Sequence, residues 1–305
     1  MNPQEILLVV VLPALIGIGI TVTAWIMPLT QPLRPWITGL SFFVGFVLSM
    51  YFISGFPESP VEAWKYVALA LAIQVVLLSP CVIKPHSLRL FALLTVGVAI
   101  VPALLLKIPD VNTLPWRLVL FAFIFICSLL LTKPARHTGF SVPLALWIPT
   151  TGLSFLLIVS GFAMAAMIIG AIAALLGGLT VFGLIQRRYR IGDAGMSLVV
   201  AIIAMMTLVG YGYDYDSFSY WAWIVIAIAP LGLLAANLFP NDQPFRAALV
   251  RLSTVALLTI MAIVIAMSTG GSTELEEEYG DLDLYTLSND AGKPFFGYAP
   301  EIYQR

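Results

Sequence analysis

The run PLALWIPTTGLSFLLIVSGFAMAAMIIGAIAALLGGLTVFGLIQRRYR, Pro143 to Arg190, decides the fold. After His137 no charged side chain appears until Arg187. A helix that crosses a bilayer needs about 20 apolar residues, so this run holds two, with Ser160-Gly161 as the turn between them. The second carries a small residue at every fourth position: Ala166, Gly170, Ala174 and Gly178. That spacing makes one seam along the helix, along which neighbouring helices can approach backbone to backbone in lipid. Arg187, Arg188 and Arg190 close the run and set its end on the cytoplasmic side.

The same pattern extends in both directions. Of 305 residues, 60% are hydrophobic and 10% charged, with a mean hydropathy of +0.99. Soluble domains carry about 25% charged residues, so a soluble fold is excluded. Ten apolar runs follow one another: Ile6–Met27, Trp36–Ile53, Trp64–Ile83, Leu88–Leu106, Leu114–Leu131, Val142–Val159, Phe162–Ile185, Ala194–Tyr211, Tyr220–Phe239 and Phe245–Met267. Met1 to Glu5 holds no Lys or Arg, and Ile6–Met27 exceeds a signal core, so it reads as a retained span. The expectation is an all-α polytopic membrane protein of ten spans. Residues 1–268 form one transmembrane domain, and 269–305 a short acidic and aromatic extracytoplasmic tail. Cys81 and Cys127 fall within or at the end of apolar runs, which suits reduced, buried thiols.

Charge sets the orientation. Ten spans put Arg34, Lys84, Arg89, Lys133, Arg136, Arg187, Arg188, Arg190, Arg246 and Arg251 on one side, ten of the fifteen basic residues. The excess marks that side as cytoplasmic and leaves both termini outside, in a plasma or inner membrane. Cutting the chain into 1–136 and 137–268 gives five spans each, so a duplication would be inverted. Pro13 and Pro149 match in depth, whereas the pair Pro102 and Pro230 has a different offset.

The middle of every span lacks Asp, Glu, Lys, Arg and His, the residues on which proton relays and ion sites depend. Arg251, six residues into the last run, reads as a side chain that snorkels to the interface. No catalytic, metal or phosphate-loop constellation emerges, so neither an enzyme, a cofactor, a metal nor a nucleic-acid partner is expected. Two functional readings stand. In the first, prolines inside the spans free backbone carbonyls that line a cavity. Its candidate residues are Pro13, Gln74, Pro149, Thr150, Thr151 and Ser154, and it suits a carrier for a small neutral or lipophilic solute. Helix bending by the prolines, and interhelical bonding by Gln74, are the structural counterparts of that reading. In the second, the protein is a non-catalytic scaffold that docks a membrane-protein partner through Phe295, Phe296 and Tyr298 of the tail. The lipid bilayer is a partner in both, with a second copy of the chain as a further candidate.

Overall fold

Lipid offers a backbone no hydrogen-bond partner, so each apolar run has to satisfy its own N–H and C=O groups. The computed structural model describes residues 3–31, 33–55, 65–82, 88–106, 108, 111–213, 218–238 and 244–269, and among these there is no strand. The apolar helices are α1 (Gln4–Ile26), α2 (Leu33–Ser54), α3 (Tyr66–Leu78), α4 (Leu88–Leu105) and α5 (Leu114–Leu130). They continue as α6 (Ser141–Val159), α7 (Ala163–Ile185), α8 (Gly192–Tyr213), α9 (Tyr220–Asn237) and α10 (Phe245–Thr269). Seven of them, α1, α2 and α6 to α10, are long and apolar enough to cross a membrane, and α3, α4 and α5 are shorter. The helices fit an integral membrane protein.

Proline shapes three of the helices. A proline lacks the N–H that would bond four residues back, and its ring crowds that carbonyl. Ahead of Pro13, α1 widens to a π-helical turn over Leu7–Val11. The sequence carries the third run through Pro80 to Ile83, but the α-helix stops at Leu78 and tightens into a 3₁₀ turn over Ser79–Val82. In α9 the α-helix ends at Ile228, and 3₁₀ geometry takes over through Ala229–Leu238, where Pro230 sits. Such runs rarely exceed three or four residues.

Helix α8 is the axis of the body. It is buried over 89% of its most apolar stretch, against 28% for α1 and 22% for α10. A helix apolar on every face is the one that can occupy such a centre. Around it pack α2, α3, α5 and α9, while α6 and α7 form a tight pair flanked by α10, α1 and α2. Within the two halves, α1 on α2 corresponds to α6 on α7 and α4 on α5 to α9 on α10, but other contacts have no counterpart. Helix α2 packs on α8, but its counterpart pair α7 and α3 shares no substantial interface. Likewise α6 packs on α10, and α1 has no such interface with α5.

Candidate functional site

The six residues expected around one cavity occupy three separate helix interfaces. Pro13 frees the carbonyl of Val9, and Ser49 of α2 donates its hydroxyl to it at 2.7 Å. Gln74 is fully buried in α3, where Nε2 donates to the Val98 carbonyl of α4 at 2.8 Å and Oε1 lacks a partner. Pro149 is buried inside α6. Thr150 turns its hydroxyl back to the carbonyls of Leu146 and Trp147, each at 2.9 Å. Thr151 does the same to Trp147 at 2.9 Å from an exposed position, and Ser154 donates to Ala166 of α7 at 2.7 Å. Helix α3 packs on α2, α4 and α8, whereas α6 packs on α7 and α10. Gln74 and the α6 hydroxyls are therefore not brought together.

The seam of α7 faces two neighbours. Ala166 is buried against Ser154, and a Cβ at Gly170 would rest 3.5 Å from the Ser154 hydroxyl. A Cβ at Gly178 would overlap Ile18 of α1, and Ala174 packs on the edge of the core. Past the end of α7, Arg187 and Arg188 are exposed, and Arg190 reaches Gln31 at 3.5 Å. Tyr189 between them is fully buried, edge-on to Trp25 and Phe182, each ring 5.3 Å away, and burial pushes its phenol pKa up. Its carbonyl accepts from Gly139 N–H at 2.8 Å. This aromatic anchor inside an arginine loop was hidden by its charged neighbours. Phe295, Phe296 and Tyr298 lie outside the described residues.

A cavity opens elsewhere, between α5 and α9 over α8. It holds about 390 Å³ and is lined by Trp116, Leu120 and Phe123 of α5, Ala204, Thr207 and Tyr211 of α8, and Tyr220, Trp223 and Ile224 of α9. Its shape follows from two local features. Trp223 lies over Gly210, where a Cβ would come within 2.5 Å of the indole ring, so glycine lets α9 settle against the axis there. The 3₁₀ half of α9 touches α5, whereas its α-helical half has no substantial interface with α5. The gap reaches the perimeter of the body, where Val119, Tyr220 and Ile224 are 57%, 50% and 40% exposed. Trp116 and Tyr211, their rings 5.2 Å apart, stand at the end shared by the start of α5 and the finish of α8.

The wall is almost wholly apolar, and two of its residues carry polar atoms with nothing to bond. Thr207 Oγ1 and Trp223 Nε1 are both buried and lack a hydrogen-bond partner among the described residues. An unpaired buried group of this kind costs about 1–3 kcal/mol. Neither Trp223 nor Thr207 stood out in the sequence as a candidate site residue. No local spacing links the two, since helix packing alone brings α8 and α9 together.

The arrangement is an all-helical body, apolar enough to fit an integral membrane protein, with an apolar cavity among its helices. No family model matches the sequence, and no curated protein matches it either.

Proposed function

We propose that this protein is an integral membrane carrier whose α5–α8–α9 cavity takes a small, neutral, lipophilic solute. The observation that carries the reading is the almost wholly apolar lining of a cavity of about 390 Å³. Small-molecule pockets span roughly 300–1,000 Å³, mostly apolar with a few polar groups that fix orientation, and 390 Å³ lies in that range. A net charge on the guest is disfavoured, because no ionisable side chain other than tyrosine lines the cavity.

Ten crossings belong to the same proposal. Helix α5 and the described apolar stretch of α4 have 17 residues each, and α3 with its 3₁₀ turn has 13 plus 4. At 1.5 Å per residue, 17 residues reach about 26 Å, a few ångströms short of a core about 30 Å thick, a mismatch that local thinning absorbs at modest cost. With ten crossings the basic excess puts both termini outside the cytoplasm.

A photoreactive monoacylglycerol tests the binding reading. In proteoliposomes it should crosslink to peptides containing Thr207 and Trp223, and excess unlabelled monoacylglycerol should compete it away. Gly210→Leu pushes the Trp223 ring from its seat and should abolish that label. Labelling spread evenly over the lipid-facing helices, without competition, sinks the reading. If Thr207→Val and Trp223→Phe leave function intact while deletion of 295–305 destroys it, the scaffold reading replaces it.

A further inference from the structure

At the end of the body away from the Trp116–Tyr211 rings, a buried guanidinium has no anion among the described residues. Arg251 was expected to snorkel, yet it is only 6% exposed, and its one hydrogen bond runs from Nη1 to Ser141 Oγ at 3.3 Å. Its Nε is buried and unpartnered. A lone charge in such a place is expensive unless something pairs with it. Glu5 and Asp193 are the carboxylates among the described residues. Asp193 is taken by Arg136, which grips it through Nε at 3.2 and 3.3 Å and through Nη2 at 2.8 Å. His137 lies within electrostatic reach of both Arg251 and Lys133. Helix α6 starts at Ser141 without a side-chain cap, so Ser141 and Val142 present N–H groups that no helix bond satisfies.

We infer that Arg251, Lys133, His137 and the start of α6 form a binding site for a phosphate group. Each contribution suits that chemistry. A guanidinium grips phosphate oxygens through its fixed fork of N–H donors. A helix start adds backbone donors and the positive end of the helix dipole. Lys133 is exposed and half-buried His137 lies beside it, so the site has an open side through which an anion enters. Arg251 itself lies seven residues past Pro244, about 10 Å along α10, which is the depth of a headgroup rather than of an acyl chain. A lipid headgroup and free phosphate share this chemistry, and this site is independent of the apolar cavity.

The full-length protein in an uncharged detergent separates the two sources. Its melting temperature is followed while phosphatidylglycerol, phosphatidylcholine, inorganic phosphate or sodium chloride of equal ionic strength is added. Stabilisation by phosphatidylglycerol alone assigns a lipid headgroup, and stabilisation by phosphate as well assigns a free phosphate ligand. In either case Arg251→Gln should abolish the shift. Lys133→Gln and His137→Gln, at less buried positions that leave the fold intact, should each raise the half-saturating concentration several-fold. No shift beyond the chloride control in the native protein overturns the inference. So does a shift that survives unchanged in Lys133→Gln and His137→Gln.

Discussion

Gly192 and Gly139 hold φ at +75° and +95°, a region that side-chain-bearing residues rarely adopt. They differ in surroundings: a Cβ at Gly192 would overlap Pro35, and one at Gly139 would meet open space. The conformational cost of alanine is about 1–2 kcal/mol at either position. Overpacking adds about 1–3 kcal/mol at Gly192 alone. Gly192→Ala should therefore lower the melting temperature clearly more than Gly139→Ala, and equal shifts would show that Pro35 yields. A second residue reads out as pH dependence. Burial, followed by the charges of Arg251 and Lys133, lowers the pKa of His137. Unfolded histidine binds a proton near pH 6.5, whereas folded His137 refuses it until the pH is lower. Its contribution to stability is thus complete above about pH 6.5 and declines as the pH falls through that value toward the folded one. Melting curves between pH 7.5 and 5.5 should fall less steeply for His137→Gln than for the native chain, and parallel curves would refute the assignment.

Between helices, the consequential feature is what happens to the backbone groups that proline frees. That Pro13 would strip a bond from Val9 was legible in the sequence, because the effect acts within one turn. That Ser49 would supply the missing donor was not, since it lies on another helix, 40 residues along the chain. The same limit explains Thr150 and Thr151: their presence beside Pro149 is local, but their hydroxyls turn back onto α6 itself rather than toward Gln74. Thr207 and Trp223 illustrate it from the other side, as a pairing that only the packing of α8 against α9 creates. Two serine substitutions separate these roles. Ser49→Ala strands a carbonyl that proline has deprived of its helix bond, which should cost about 1–3 kcal/mol. Ser154→Ala removes a donor from Ala166, whose carbonyl sits in an uninterrupted helix, and should cost well under that. If thermal unfolding gives equal losses, Val9 has another donor and Ser49 is dispensable.

For the molecule as a whole, the parity of crossings decides how the termini lie. Among the described residues seven helices meet the length and hydropathy of a span, and an odd number of crossings sends the two termini to opposite sides. Ten is even and keeps them on one side. The order of the apolar helices was legible in the sequence because hydrophobic runs and their breaks are local. The asymmetric packing around α8 was not, since any two apolar helices look interchangeable until their contacts are known. Burial places α3 and α5 against the axis: Leu71 and Leu78 of α3 and Ile124 of α5 are fully enclosed, and both helices pack directly on α8. Helices that wall the central axis of a membrane body share its depth, whereas helices that merely lie at its surface would expose one polar flank. Single cysteines at Asn2, Gln186 and Ser272, introduced after Cys81 and Cys127 are replaced, convert the parity into labelling. In intact cells an impermeant thiol reagent should modify the cysteines at Asn2 and Ser272 and spare the one at Gln186 until the membrane is opened. Labelling at Gln186 alone would keep the even count and reverse the orientation. Labelling at only one of the two terminal sites would make the count odd, and at least one of α3, α4 and α5 would then have to lie within the body without crossing.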